Sequence, residues 1–355
     1  MTSTNLQELP RYDIARSYDW NYAHAPSPVE TSVPPMGGAW DFCGLPVASP
    51  LGIAAGPLLN GAWLLYYASL GYDVLTYKTV RRTSRTCYPM PNLLPVRPRA
   101  DEGERDGWRE RLLADDRMHG SWAISFGMPS REPAVWTDDV RAARARLPEG
   151  KLLAVSVVAT QDEAATLDDL AEDYAECARM AVSAGADAVE ANFSCPNVSS
   201  ADGQLYSAAR SAGVVARRLR EVVGTRPLVI KIGHQTDRRS AAELVDALAP
   251  FADALSMVNT VRATVVDGRG QAYFDAQPRG IGGAMIHDAA VRQVTLFADV
   301  IARAQARLRI VGVGGARTSA DARRFVSAGA HAVHLATAAM VEPAAAINIR
   351  REWPT

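Results

Sequence analysis

"LRIVGVGGARTSADARRFVSAGAHAVHLATAAM", residues 308–340, holds one complete turn of the fold. It opens on a short β-branched run, "LRIVG" (308–312), of the kind that forms a strand buried on both faces. A glycine-rich turn follows. Thr318 and Ser319 then stand as caps before a helical pattern over 318–328 that ends at Gly329. Within two residues another apolar run begins, "HAVHL" (331–335). The glycine stop matters because the chain must leave the helix and enter the next strand at once. "SAGAD", at 183–187, repeats the arrangement.

Working outward, six more short apolar runs read as buried parallel strands. They are 51–55, 73–78, 152–158, 187–192, 227–232 and 253–258. Helical patterns over 166–183, 205–222 and 239–249 lie between them, with apolar residues at i, i+3 and i+4. Eight strands separated by helices predict an α/β chain of the (β/α)8 barrel class. A doubly wound sheet is the rival topology. The barrel is favoured because polar, chemically useful residues stand at the C-terminal ends of nearly all eight strands. A doubly wound sheet concentrates them at one switch point.

The barrel is expected over 51–355, after a proline-rich, aromatic arm (1–50) that wraps it or a partner subunit. Residues 79 to about 135 read as a long irregular stretch after the second strand, a lid or substrate loop on the active face. "RRTSRT" (81–86) reads as a solvated charged loop. The formal net charge is −1, so no overall basic field recruits nucleic acid or an acidic membrane surface. No apolar stretch approaches the roughly 20 residues of a spanning helix. The opening "MTSTNLQELPRYD" lacks the pattern of a signal peptide. Four cysteines without a CxxC pair fit reduced thiols in a cytoplasm, and with no HExxH among six histidines no metal site is expected.

Candidate chemistry gathers at the strand ends. "IVGVGGARTSADA" (310–322) and "HLATAAM" (334–340) fall after strands seven and eight, where this barrel class binds phosphate. "RGIGGAMI" (279–286) adds glycines before the helix that follows strand six. The rival, a dinucleotide fingerprint, lacks the full GxGxxG spacing. Lys78 and Lys231 end apolar strands, and each needs an anionic or electron-rich partner to offset desolvation. A flavin ring would satisfy both. "ANFSCPNVSS" (191–200) sets Cys195 in a polar turn with Asn192, Ser194 and Asn197. Asn259 and Thr260 end strand six. Uncharged amides suit a planar amide-like ligand better than a metal. A thiol there can take a proton from carbon, or simply pack as a small hydrophobe.

"NFSCPN", "VIKI", "VNT", "GIGGAMI", "IVGVGGARTSADA" and "ATA", in that order, resemble the dihydroorotate dehydrogenase family. "GIAAGPLLNG" (52–61) resembles its first βα turn, and the resemblance spans roughly 45–345. Cys195 and the lysine of "YKT" resemble the soluble class 1 branch; class 2 has serine in place of that cysteine and a lysine where this chain has Leu59. The resemblance implies an FMN-dependent enzyme that takes dihydroorotate or a close analogue to its CH–CH-oxidised product. Cys195 would be the base, and Lys78 and Lys231 would lie against the flavin. Ala55, Gly56, Ser156 and Asn192 would line the ring, while Gly282, Gly283, Gly314, Gly315, Ala336 and Thr337 would hold its phosphate. Asn192, Asn197, Asn259 and Thr260 would bind the substrate's polar edge, with the backbone of Phe126, Gly127 and Met128. A homodimer acting on a small molecule, without nucleic acid or membrane, is implied too.

"ISFGMPS" (124–130) departs from the class 1 pattern N-S-M-G-L-P-N and puts Ile124 at the first asparagine. That departure and the insertion at 91–118 keep open a paralogue acting on another cyclic amide. A flavin-free barrel serving as a binding subunit is the third alternative.

Overall fold

A computed structural model describes residues 6, 8–98, 108–160, 166–194 and 201–353, with backbone only for 201–203. In chain order the strands are β1 (Trp40–Phe42), β2 (Leu45–Val47), β3 (Leu51–Ile53), β4 (Val74–Val80) and β5 (Leu93–Pro98). There follow β6 (Arg111–Ala114), β7 (Ser121–Ile124), β8 (Leu152–Val157), β9 (Ala188–Asn192) and β10 (Leu228–Lys231). The last five are β11 (Ala254–Met257), β12 (Val261–Val266), β13 (Arg279–Gly283), β14 (Arg309–Val313) and β15 (Ala332–Leu335).

Eight of them close a barrel in the order β3-β4-β8-β9-β10-β11-β14-β15, with β15 returning to β3. Every pair is parallel. These are the eight apolar runs predicted as strands, each found within three residues of its expected bounds. Helices pack outside, several started by side-chain caps. Thr166 with Asp169 and Thr318 with Asp321 form reciprocal capping boxes. The glycine stop at Gly329 is required twice over. Its φ is +108°, and a Cβ there would meet the Ala298 methyl at 2.7 Å.

Residues 79–135 are not the irregular stretch expected. Described residues there form β5, β6 and β7, and helix Pro133–Arg146 begins before residue 135. The glycine run 279–286 does lead into helix His287–Arg303, but its first residues form β13. These strands join β12 in a second closed sheet, β12-β13-β7-β5-β6. It has its own core of Val96, Leu112, Ala123, Val261, Ala263, Val265, Ile281 and Ile286. The chain enters this sheet from the C-terminal ends of β4 and β11, so it stands at the barrel mouth. Arg81, expected in a solvated loop, is buried. It donates from Nη1 to the Ala159 carbonyl and from Nε to the Met128 carbonyl, which ties the barrel rim to the turn after β7. Arg82 and its neighbours Thr83 and Ser84 are exposed as expected.

The segment before β3 runs along helix Gly61–Ser69. The Asn60 amide donates to the Tyr22 carbonyl, and the Tyr66 hydroxyl donates to the Pro10 carbonyl. The β1–β2 hairpin lies under the barrel, where Phe42 stacks on His334 at 5.8 Å.

Candidate active site

The C-terminal ends of the barrel strands and the facing second sheet enclose about 900 Å³ of empty space, open solvent at its mouth included. Its two walls differ in chemistry. The barrel side presents Lys78, Thr79, Asn192, Lys231, Asn259 and Thr260. The second sheet presents Leu93, Trp122, Ile124 and the turn Phe126–Gly127–Met128.

Lys78 lies two residues before the end of β4 and is 6% exposed. Its Nζ lies 4.9 Å from the Tyr18 ring centroid and 5.0 Å from that of Phe126. Aromatic faces attract a cation but do not hydrate it. Burial therefore pushes its pKa down to about 8, with the Cys87 thiol acting weakly in the other direction. Lys231 ends β10, is 3% exposed, and has its Nζ 3.9 Å from Glu190 Oε1.

The amides form a web. Asn192 Oδ1 accepts from the Ser194 backbone N–H at 3.1 Å and from Asn259 Nδ2 at 3.4 Å. Asn259 Nδ2 also donates to the Ser194 carbonyl. Asn192 Nδ2 points to Met128 Sδ at 3.5 Å, linking the web to the opposite wall. The Thr260 hydroxyl is buried without a protein partner. A buried hydroxyl left unpaired is costly, which fits a group that meets a ligand.

Ala55, Gly56, Ala336 and Thr337 also line the cavity. A Cβ added at Gly56 would meet nothing within 4 Å. Ser156 does not reach the cavity; its Oγ lies 3.0 Å from that of Thr79, which does. Gly282, Gly283, Gly314 and Gly315 are not in the lining, although Gly282 lies beside Thr337 and Gly315 against Gly283. A Cβ on Gly282 would approach Thr337 Oγ1 at 3.2 Å, and one on Gly315 would strike the Gly283 carbonyl at 2.6 Å. Cys195 and Asn197 lie outside the described residues.

Sequence reasoning missed Thr79, Trp122 and Met340 in the lining, and Glu190 and Tyr18 behind the lysines. Thr79 was hidden by the alternation rule, since neighbours in a strand face opposite ways. The β4–β8 register shifts between Tyr77 and Val80, and that irregularity lets both Lys78 and Thr79 face the mouth. Tyr18 left no local signal, because it meets Lys78 only through the tertiary path of the arm.

Among the described residues no cluster of metal-binding side chains occurs, Cys43, Cys87 and Cys177 are free thiols, and no helix is long and apolar enough to cross a membrane. The family model described as dihydroorotate dehydrogenase matches residues 123–355. A dihydroorotate dehydrogenase of Dictyostelium discoideum is 29% identical, over 94% of this chain and 95% of its own. A putative dihydroorotate dehydrogenase A (fumarate) of Solibacter usitatus is 37% identical, over 51% of this chain and 58% of its own length. The catalytic subunit of a dihydroorotate dehydrogenase B (NAD(+)) of Citrifermentans bemidjiense is 32% identical, with the same coverage of 51% and 58%. In fold, the chain superposes on the crystal structure of DHODH in complex with ferulenol from Eimeria tenella with a TM-score of 0.72, at 18% identity, over 94% of this chain and 88% of that one. With a matching family model over residues 123–355 and a barrel whose polar mouth carries the motif residues, the chain belongs to the dihydroorotate dehydrogenase family.

Proposed function

We propose that the chain is an FMN-dependent oxidoreductase acting on a CH–CH bond, converting dihydroorotate or a close analogue to the unsaturated product. One observation carries the reading. Two buried lysines and a web of asparagine amides converge with the unpaired Thr260 hydroxyl on one cavity at the barrel mouth. Such a wall suits a planar, electron-rich ring with amide edges. The residues fit FMN, since Lys78 is offered aromatic faces rather than an anion, Lys231 reaches the same cavity and the space over Gly56 is open.

FMN when bound supplies a hydride acceptor. Lys78 and Lys231 would set ammonium groups against its ring, with Ala55 and Gly56 beside it and Ser156 acting through Thr79. Gly282, Gly283, Gly314 and Gly315, with Ala336 and Thr337, would turn backbone N–H groups toward its phosphate. Asn192, Asn197, Asn259 and Thr260 would hold the substrate's polar edge, and the backbone of Phe126–Gly127–Met128 would take its carboxylate. Cys195 would remove the proton from the substrate carbon. A homodimer in a reducing cytoplasm belongs to the same reading, on the strength of the free thiols and the apolar arm.

Cys195→Ala tests the assignment. FMN should remain bound, while the rate of flavin bleaching by substrate, followed anaerobically, should fall by about 10²–10⁴-fold. An unchanged rate places the base elsewhere, and a protein that stays colourless with added FMN overturns the reading.

Ile124 favours a second reading, a paralogue working on a different cyclic amide. Its side chain lines the cavity, and that wall offers apolar surface where a side-chain amide would discriminate imides. Rapid bleaching by dihydroorotate excludes it; a yellow protein that stays oxidised with dihydroorotate supports it.

A further inference from the structure

Beneath the cavity the barrel interior carries a polar layer that the proposed chemistry does not use. Glu190 lies on β9 two residues before Asn192, on the same face and one layer deeper. Lys231 pairs in register with Asn192, so its stem starts level with the cavity floor. The two side chains meet at 3.9 Å, with Glu190 2% exposed. Glu190 Oε1 has no hydrogen-bond partner, so what faces Lys231 is charge rather than a saturated hydrogen-bond cage. His334 on β15 is fully enclosed. Burial, reinforced by the Lys231 charge, pushes its pKa down to about 3 and leaves it neutral near pH 7.

Lys231 thus has contact with the cavity on one side and a carboxylate on the other. In a dry interior a unit charge about 4 Å away is a strong perturbation. We propose that Glu190 is a positioning residue that holds Lys231 and draws its ammonium back from the ring, and so sets how strongly the cavity floor favours electrons on the bound ring. The inference rests on the FMN reading above. A purely structural Glu190 would affect folding but not the ring's redox balance.

The test is a dye-equilibrated redox titration of the FMN-loaded protein. In Glu190→Gln the ratio of reduced to oxidised flavin at a fixed poise should rise about tenfold, which is about 30 mV for a two-electron couple. Lys231→Met should lower that ratio. The double variant should match Lys231→Met alone, because Glu190 acts through the lysine. Where Glu190→Gln loses FMN, Glu190→Asp carries the test, and its ratio should rise in the same direction as the charge withdraws by one methylene. An unchanged ratio in a yellow Glu190→Gln protein overturns the proposal. So does a shift that persists in the Lys231→Met background, or loss of FMN from both Glu190 variants. A wild-type protein that takes up no FMN is a different failure, that of the functional reading itself.

Discussion

The two ends of the barrel spend charge in opposite ways. At the N-terminal end Asp73 is buried, and both of its oxygens are used. Oδ2 accepts from Ser49 Oγ at 2.6 Å and from Arg350 Nη2 at 2.5 Å, while Oδ1 accepts from Lys151 Nζ at 2.6 Å. Arg350 also donates to the Gly71 carbonyl at 2.8 Å and the Pro34 carbonyl at 3.1 Å. One guanidinium thereby joins the arm, the barrel floor and the C-terminal helix. At the mouth Thr260 Oγ1 is buried without a hydrogen-bond partner, and so are Ser256 Oγ, Glu190 Oε1 and both ring nitrogens of His334 in the barrel interior beneath it. Lys78 faces aromatic rings instead of an acid. Saturated polar groups hold a structure together, whereas unsaturated ones keep their electrostatic capacity for a ligand. Stability lives below and reactivity above, within one set of eight strands.

Three substitutions probe that division, beginning with the most damaging. Arg350→Met strands Asp73 among buried groups and should cost about 3–5 kcal/mol, read as a lower denaturant midpoint. Flavin reduction per bound FMN should change less than twofold. A large kinetic effect would mean the floor and the mouth are coupled.

Lys78→Met should act in the reverse sense. A lysine whose pKa falls from 10.5 to about 8 on folding carries a penalty that is complete below pH 8. The penalty lifts as pH rises toward 10.5, because the unfolded chain then binds the extra proton. The ligand-free variant should therefore be more stable than wild type by about 3 kcal/mol at pH 7, narrowing to about half of that by pH 9.5. Substrate-driven flavin reduction should meanwhile drop by about a hundredfold. A destabilised apo-variant would remove the contrast between the two ends.

Thr260→Val should have the mildest effect. The apo-protein should keep its stability within about 0.5 kcal/mol, since no bond is broken. Substrate KM should rise about fivefold to tenfold, the worth of one hydrogen bond. A variant with unaltered KM would take Thr260 out of the substrate-binding set.

Much of the site was legible because parallel barrel strands write their chemistry locally. A lysine or asparagine at the end of an apolar run must emerge at the mouth, and Lys78, Asn192, Lys231 and Asn259 all do. The second sheet was not legible for the opposite reason. β7 pairs with β13 through Ile124 and Gly280, more than 150 residues apart, and neither segment shows a long alternating pattern. Its strands are stabilised by each other rather than by their own sequence, so 79–135 read as a loop. Arg81 misled for a similar reason, since a charge run predicts solvent unless two carbonyls wait for the guanidinium.

Eight short apolar runs, glycine stops and polar strand ends were enough by themselves to specify the barrel and which of its ends carries the polar residues, and the ordered motifs from "NFSCPN" to "ATA" carried the family resemblance. Periodicity and capping act over a few residues, and a linear chain displays them directly. Tertiary structure alone decided that Tyr18 covers Lys78, that Glu190 backs Lys231 and that an apolar second sheet forms the facing wall. Those contacts join residues far apart in the chain, and their energies depend on burial and distance, which exist only once the chain has closed on itself.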